Sequence, residues 1–487
     1  MSTPYKKTKA MNEPTSTEKP IDAALLTRFT NPLPSVAERK AAGKALREKV
    51  PHAQHAVYHP SPTRSDPVAL LIEHSKTRLQ NLVPIRNARM LASPFAFLRG
   101  SAAAMAADLA PTPVTGLNVQ ANGDMHLANF GWFASAERNL VFGINDFDET
   151  LAGPWEWDLK RLVASAVVSG RFMGADKVLC EEAARAVVGS YRQRMRQYAG
   201  MGNLDVWYAR IDEADLRDVK SPEARKAARK IMDKAHQRGH AQVLEKMTEL
   251  VDSQQRIIED APLIVRETHN AHGRPIGEAL ALTLSRYVSS LPEDRRTLFA
   301  RYRVVDVARK VVGVGSVGTR CWVVLLQGNS GDDPLFLQYK EAGASVLAPY
   351  VKASKWACEG QRVVVGQRLI QGAPDIFLGW GIQKDLDGSH FYVRQLRDMK
   401  GGAEFEPDAG RGKLLPNYLK LCGWALALAH AKSGDAAAIA GYLGKTEAID
   451  EALARFAFAY ADQTERDFDA LTTAARAKRI PVAQGAD

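Results

Sequence analysis

A short acidic stretch supplies the residues whose types and spacing could do chemistry. Four residues separate Asp124 from Asn129, and Asp146 and Asp148 follow a later apolar run. An Asp can accept the proton of an attacking hydroxyl, while an Asn and an Asp can hold the magnesium ions that bridge nucleotide phosphates. We therefore expect Asp124 to be the catalytic base, and Asn129, Asp146 and Asp148 to be metal ligands. The alternative is ordinary turn chemistry, because Asp and Asn favour turns.

Two neighbours of this stretch have less defined roles. His126 is a second candidate catalytic residue that could orient the loop, contact a phosphate or bind a metal, and a structural hydrogen bond is equally open. Asp158 lies at the start of a predicted helix. It could accept hydrogen bonds from the backbone of the loop that carries Asp124 and hold that loop rigid, or it could cap its own helix.

A glycine-rich stretch far along the chain is the second candidate element. Gly313, Gly315 and Gly318 form a GxGxxG pattern that includes Ser316, and residues 319–326 after it have the composition of a strand. In dinucleotide-binding folds such glycines open a helix. A glycine loop between two strands is instead the kinase arrangement, in which backbone amides cover the phosphates of ATP. We expect these four residues to contact the nucleotide.

The second predicted strand after the glycine stretch ends in a lysine. Lys340 follows an apolar run, and a lysine in that place pairs with nucleotide phosphates in kinases. A helix expected after it contains Glu359, which could form the ion pair that positions the lysine. Glu341 is the competing partner, and either acid could instead be exposed to solvent. The cofactors implied are ATP and Mg²⁺.

Changes of composition along the chain predict the elements that must position these residues. Residues 36–110 and 155–300 have helical composition, with one long amphipathic stretch at 221–260. Short β-rich runs occupy 114–150. A second β-rich zone covers 301–398, with one helix expected at about 344–371, and helices follow from 415 onward. The expected domains are a disordered tail (1–35), a helical lobe with the catalytic loop (36–300), a β-rich nucleotide-binding lobe (301–400) and C-terminal helices that pack on the helical lobe (401–487).

Several motifs together resemble one bacterial family, known as domain of unknown function 2252, from about residue 36 to the C-terminus. They lie at residues 95–100, 123–131, 144–150, 153–162, 312–326, 337–342, 360–368 and 393–401. That family in turn resembles the aminoglycoside- and choline-kinase branch of the protein-kinase-like superfamily. The resemblance implies a two-lobed α+β fold, with a small, mostly antiparallel sheet lobe and a larger helical lobe, that binds ATP and magnesium.

Two features depart from that branch. Its catalytic loop usually reads His-Gly-Asp, whereas Asn122 and Gly123 precede Asp124 here. The order is also reversed, because the catalytic-type loop precedes the glycine stretch. We interpret this as a circular permutation, which is acceptable when the junctions lie in exposed segments. It predicts that Lys340 and Asp146 face one cleft.

Composition limits the class of protein. The net charge is +10, with 46% hydrophobic and 25% charged residues, which is typical of a soluble globular protein. No apolar run reaches the roughly 18–20 residues that span a bilayer, and the N-terminus lacks the apolar core of a secretory signal. The excess of positive charge is modest for this length, so we do not expect nucleic-acid or membrane partners. The expected location is the cytoplasm, where thiols stay reduced, and the widely spaced cysteines predict buried free thiols: Cys180, Cys321, Cys358 and Cys422.

The motifs favour an ATP- and magnesium-dependent phosphotransferase whose acceptor is a small molecule. Asp148 supports that acceptor class, because protein kinases have Gly after the Asp-Phe pair. A nucleotide-binding pseudokinase or regulatory module, or nucleotidyl transfer by the same fold, remains an alternative. A metal-dependent phosphoesterase fits less well, since two-metal sites need several His and Asp ligands and the eleven histidines are scattered.

Overall fold

A computed structural model describes residues 29–218, 221–238, 240–252, 254–269, 273–383, 388–396 and 399–483. Within these residues the helices are α1 (Val36–Lys49), α2 (Pro67–Ser75), α3 (Val83–Leu91), α4 (Pro94–Gly100), α5 (Ala102–Leu109), α6 (Trp155–Phe172), α7 (Lys177–Tyr198), α8 (Asn203–Tyr208), α9 (Pro222–Gln237), α10 (His240–Met247), α11 (Ile276–Ser289), α12 (Glu293–Phe299), α13 (Glu359–Ile370), α14 (Ala409–Gly412), α15 (Leu415–Ser433), α16 (Ala436–Leu443) and α17 (Ala448–Arg476).

The strands of the described residues are short. They are β1 (Asn118–Ala121), β2 (Phe130–Ala134), β3 (Leu140–Ile144), β4 (Leu151–Pro154), β5 (Thr248–Val251), β6 (Gln254–Ile257), β7 (Ile264–Val265), β8 (Arg303–Lys310), β9 (Cys321–Gln327), β10 (Pro334–Glu341), β11 (Gly379–Ile382) and β12 (His390–Gln395). The architecture is therefore mixed α+β with small antiparallel sheets, which agrees with the α+β part of the predicted fold class.

The largest sheet has six strands in the order β11-β12-β10-β9-β8-β7, and its neighbouring strands pair antiparallel. Side chains of β9 alternate between its two faces, as a pleated strand requires. Val324 and Leu326 pack with Tyr287 of α11 on one face, whereas Val323 and Leu325 pack with Met247 on the other. Both faces of this sheet are thus covered at β9, whose residues Val323–Leu326 are all buried.

A helical core forms the rest of the molecule. Helix α6 is buried along nearly its whole length, from Trp155 to Gly170, as expected of a helix that is surrounded by other elements. It packs against α7 and α17, while α15 packs closely on α7. The two-stranded sheets β1-β4 and β2-β3 lie against this core and place the loops that follow β1 and β3 next to each other.

Two secondary-structure predictions were wrong. The helical stretch expected over 221–260 consists of α9 and α10 and ends at Met247, because the chain turns there into β5, which pairs with β6. The helix expected over 344–371 begins only at Glu359. Pro349 lies in the non-helical part, where a proline cannot donate the backbone hydrogen bond of a helix.

The packing of the described residues differs from the expected domain boundary at residue 300. Residues between Val243 and Phe299 contribute to the clusters on the six-stranded sheet, although we expected them in the helical lobe.

Most of the expected N-terminal tail, residues 1–28, lies outside the described residues. At its end, Ser35 accepts from the backbone of Glu38, and Glu38 accepts from the backbone of Ser35, so the pair forms a capping box that starts α1.

Two predictions from composition concern the cysteines and the absence of an apolar membrane span. All four cysteines are buried and none forms a disulfide, as their spacing predicts. No helix in the described ranges combines the length and the apolar character that a membrane crossing demands.

Candidate active site

The loop after β1 is fixed by a buried carboxylate. Asp158, in the first turn of α6, accepts hydrogen bonds from the backbone N–H of Asn122 (2.6 Å) and of Gly123 (2.9 Å). Gly123 has a φ of +82°, and a Cβ there would lie 2.7 Å from the carbonyl oxygen of Glu149, so the turn requires glycine. Of the two roles open to Asp158, the structure has the one that supports the loop.

Asp124 follows this turn and is clamped by an arginine. Both Nε (2.9 Å) and Nη2 of Arg161 donate to its Oδ1. Burial nevertheless raises the pKa of Asp124, and the Arg161 guanidinium opposes that rise. Asn129 is anchored to the same loop, because its side-chain amide donates to the backbone oxygen of Asp124 at 2.6 Å. This bond uses the amide nitrogen of Asn129 and leaves its amide oxygen available as an acceptor or metal ligand.

His126 lies deep beside Asp124. It is 3% exposed, and its Nε2 lies 3.8 Å from Oδ2 of Asp124, beyond hydrogen-bond range. Burial, and then the positive charges of Arg99 and Arg161, lower the pKa of His126 well below its ordinary value. The imidazole is therefore neutral at physiological pH, and its buried Nδ1 has no hydrogen-bond partner.

The loop after β3 carries the other two acids of the first motif. Asn122 donates its side-chain amide to the backbone oxygen of Asp146 at 2.6 Å, which joins the two loops. Asp148 receives hydrogen bonds from the ammonium of Lys340 and, at 2.6 Å, from the hydroxyl of Tyr392. Burial alone would raise the pKa of Asp148, but Lys340 and Tyr392 hold it below its ordinary value. Asp148 is therefore ionised at neutral pH.

The glycine stretch lies over both acidic loops. Its centre, Val314–Ser316, is a single 3₁₀ turn between β8 and β9. The Ser316 hydroxyl is 2.6 Å from the nitrogen of Lys340, which donates to it, and 3.3 Å from Oδ2 of Asp148. A Cβ at Gly315 would lie 3.9 Å from Oδ2 of Asp124. The two motifs, which are far apart in sequence, are thus in direct contact.

Neither of the acids that we expected beside Lys340 lies there. Glu359 forms an ion pair with Arg362, which is on the same face one turn later in α13. Glu341 pairs with Arg320, the residue that precedes the neighbouring strand β9. Glu359 is thus neutralised by an arginine of its own helix. The acid that pairs with Lys340 is instead Asp148.

One small cavity of about 110 Å³ lies between the two acidic loops and the glycine stretch, and Lys340 and Arg161 are not among the residues that line it. Its acidic wall comes from the two loops and its cover from the glycine stretch. Among the residues that line it are Asn122, Asp124, His126, Asn129, Asp146, Asp148, Glu149, Gly313, Val314, Gly315 and Ser316. Gly318 is not in this lining; its φ of +89° turns the chain into β9, beside Arg78.

Three arginines also line the cavity and are called the arginine wall below, and two of them, Arg78 and Arg86, were missed by the sequence analysis. Arg78, Arg86 and Arg99 all line the cavity. One signal was present for Arg86, because helical spacing places it on one face with Leu82 and Met90, and all three are at most 2% exposed. A charged residue in the buried stripe of a helix needs a partner.

Unpaired buried atoms divide between the two walls by chemical type. Oδ1 of Asn122 and Oδ1 of Asp146 are buried acceptors without a hydrogen-bond partner on the acidic wall. The arginine wall instead has buried donors without a hydrogen-bond partner, namely the Nε atoms of Arg78, Arg86 and Arg99. Buried polar groups are normally paired, so this cavity is suited to a ligand set that includes both a cation and an anion.

The structure therefore defines a mixed α+β protein with a small cavity that is lined by both acidic and basic side chains. The family model described as "uncharacterized protein conserved in bacteria (DUF2252)" matches residues 78–474, and the chain belongs to that family. No curated protein and no solved structure matches the chain.

Proposed function

We propose that the protein is an ATP- and Mg²⁺-dependent phosphotransferase that acts on a small-molecule acceptor. The contact between Lys340 and Asp148 carries this proposal. It joins β10, the second strand after the glycine stretch, to the acidic loop that contains Asp146. Lysine, glycine loop and acidic loop are the parts with which kinases hold a nucleotide.

The acceptor side of the reaction is assigned to Asp124. The acceptor hydroxyl oxygen would form a bond to the γ-phosphorus of ATP while the bond from that phosphorus to the bridging oxygen of ADP breaks. Asp124 takes the hydroxyl proton. Arg161 fixes one oxygen of this carboxylate and leaves Oδ2 directed toward His126 and the glycine stretch. Its raised pKa suits a group that must bind a proton during turnover.

The oxygen donors beside Asp124 fit a magnesium ion. Oδ1 of Asp146 is buried and unpaired, and the amide of Asn129 is oriented by its bond to Asp124. Magnesium takes one or two protein oxygens and completes its octahedron with water and phosphate. When bound, it would neutralise charge on the phosphates. Asp148 already pairs with Lys340, so Asn129 and Asp146 are the two proposed magnesium ligands.

The order of the elements supports a kinase-like arrangement of two lobes with a circular permutation. Lys340 is on the third strand counted from the strand that enters the glycine stretch, and the next helix is α13. The kinase lysine occupies the same place relative to its glycine loop and the helix that follows. The catalytic-type loop comes earlier in this chain, as a permuted order requires.

Entry of a nucleotide requires a change in the glycine stretch. A cavity of about 110 Å³ is smaller than the roughly 300–1,000 Å³ of pockets that hold drug-sized ligands. The stretch lies directly against Asp124 and Lys340, where the phosphates would be bound. We infer that it lifts from the acidic loops when MgATP binds, as the lids of other phosphotransferases do.

Calorimetric titration of the full chain with MgADP tests the proposal. The wild type should bind MgADP, whereas Lys340→Met and Asp146→Asn should bind it at least tenfold more weakly. Lys352→Met, at an exposed position, is the matched control. Absence of binding to the wild type would overturn the proposal.

Turnover separates the alternatives that share this cleft. The wild type, incubated with MgATP and a mixture of small-molecule acceptors, should release ADP, and Asp124→Asn should abolish that release. Release of pyrophosphate would identify nucleotidyl transfer instead. MgADP binding with no product from any acceptor would identify a nucleotide-binding regulatory module.

A further inference from the structure

Arg86 is a buried cation without an acidic partner. It is 2% exposed, and Nη2 donates to the backbone oxygen of Gly100 at 2.6 Å. Its Nε and Nη1 are buried and have no hydrogen-bond partner. A buried charge costs several kcal/mol unless it is paired and hydrogen-bonded, so such an arrangement indicates a place for an anion.

Two further arginines reach the same cavity. Arg78 donates one nitrogen to the backbone oxygen of Val317 at 2.7 Å, which leaves its buried Nε unpaired. The guanidinium of Arg99 stands 5.8 Å from the ring centre of Phe95, and its Nε is also buried and unpaired. Burial, and then the charge of Arg78, lower the pKa of Arg86 to about 9, which agrees with a site that lacks a compensating negative charge.

Three of the carboxylates across the cavity are already engaged with other groups. Asp124 is held by Arg161 and Asp148 by Lys340. Glu149 accepts from the backbone N–H of Val346 at 2.7 Å, and burial raises its pKa to about 7. These acids therefore do not form hydrogen bonds with the free nitrogens of the arginine wall.

We propose that Arg78, Arg86 and Arg99 form a second anion subsite, which binds a phosphate group carried by the acceptor. Guanidinium groups present several charged donors in a plane that match phosphate oxygens, and Nε and Nη1 of Arg86 are both free to donate. The substrate class is then a phosphorylated small molecule with a free hydroxyl. Its assignment as the acceptor rests on the proposed phosphotransfer, whereas the anion subsite itself does not.

The position of Arg99 favours the acceptor over the nucleotide. The negative charge of Asp124, the proposed base, acts on Arg99, which places this arginine on the side of the base, whereas Glu149 and Asp148 act on Arg78. Lys340 and Ser316, the proposed nucleotide contacts, bond instead to each other and to Asp148. A phosphate on the arginine wall would hold the acceptor hydroxyl near Asp124.

Inorganic phosphate is the probe for this subsite, used in calorimetry on the full chain. Phosphate should bind the wild type, and Arg86→Gln should weaken that binding about tenfold or more, since a charge-assisted contact is lost. Arg89→Gln is the matched control, because Arg89 is on the same helix, donates to the backbone oxygen of Val312 and does not line the cavity. Arg99→Gln repeats the test if Arg86→Gln does not fold.

Saturating MgADP distinguishes the two possible sources of the phosphate group. Phosphate should bind with similar affinity in its presence, because the two sites are separate. Displacement of phosphate by MgADP would overturn the acceptor subsite and assign the arginines to the nucleotide. Equal phosphate affinity in wild type and Arg86→Gln would overturn the subsite altogether. Phosphate binding that depends on Arg86 in a protein that does not bind MgADP would retain the anion subsite and reject only the phosphotransferase.

Discussion

Lys340 and Asp148 form an ion pair although 192 positions separate them in the chain. The lysine is almost fully buried, with 2% of its side chain exposed, while 25% of the Asp148 side chain is exposed. Burial disfavours the charged lysine, yet Asp148 holds the pKa of Lys340 above its ordinary value. The pair is therefore charged, and it fixes the sheet against the acidic loop.

The unequal burial of the two partners predicts unequal costs of removing them. Asp148→Ala should lower the free energy of unfolding by about 3–5 kcal/mol, because it leaves a buried ammonium uncompensated. Lys340→Met should cost less, since Asp148 keeps the Tyr392 hydroxyl and some contact with water. Urea denaturation of each variant and of the double variant measures both costs.

The double variant adds a test of coupling. It should cost less than the sum of the two single changes, by about 0.5–3 kcal/mol, because the residues are in contact. Lys352→Met, at an exposed site, should change stability by no more than about 0.5 kcal/mol. Simple additivity of Asp148→Ala and Lys340→Met would show that the pair does not join the two parts of the chain.

Asp158 is predicted to act through the backbone of the loop that carries Asp124. Asp158→Asn keeps one acceptor oxygen, so one of the two N–H groups of Asn122 and Gly123 loses its partner. The expected cost is about 1–3 kcal/mol, measured by urea denaturation. Asp233→Asn, at an exposed position on α9, should be nearly neutral. Equal stability of the two variants would mean that Asp158 does not support the loop.

Local patterns in the sequence were sufficient to locate the elements of the candidate site. The spacing of Asp124 and Asn129, the glycine stretch and the strand that ends in Lys340 all depend on neighbours within a few residues. The structure has a loop, a tight turn and a strand at these places. Such features follow from turn and strand preferences, which act over short distances in the chain.

The partners of these residues depend on packing and could not be read from the sequence. Glu359 had the expected place after Lys340, but Arg362 lies one turn away and pairs with it. Arg86 was missed because its free nitrogens become apparent only when α3 is placed beside the cavity. Likewise, only the pairing of β5 with β6 shows that the helical pattern stops at Met247.

Two glycines of the same stretch should respond differently to alanine. Gly318 has a φ of +89°, and an added Cβ would lie 3.0 Å from Cβ of Arg78. Gly318→Ala should cost about 1–2 kcal/mol, because the left-handed region is unfavourable for a residue with a Cβ. Gly313 has a φ of −54° and open space around it, so Gly313→Ala should change stability by less than about 1 kcal/mol. Thermal denaturation compares the two, and similar losses would contradict the assigned turn.

His55 should make the fold sensitive to acid. Its Nε2 lies 2.6 Å from the hydroxyl of Tyr442, which itself donates to the backbone oxygen of Val50. The imidazole therefore donates from Nε2. Its buried Nδ1 has no hydrogen-bond partner, so a proton on Nδ1 would have no acceptor to donate to. Burial, and then the charge of Lys160, lower the pKa of His55 to about 3.

The sign of the pH dependence follows from that lowered pKa. In the unfolded chain a histidine takes up a proton near pH 6.5, whereas folded His55 does so only near pH 3. Stability is thus lost as the pH falls from about 6.5 toward 3, by about 1.4 kcal/mol per pH unit. His55→Gln should remove this part of the slope when the free energy of unfolding is measured between pH 7 and pH 4. His59→Gln, at an exposed position, should leave the wild-type slope unchanged, and a slope shared by all three proteins would show that folded His55 takes up its proton as easily as an exposed histidine.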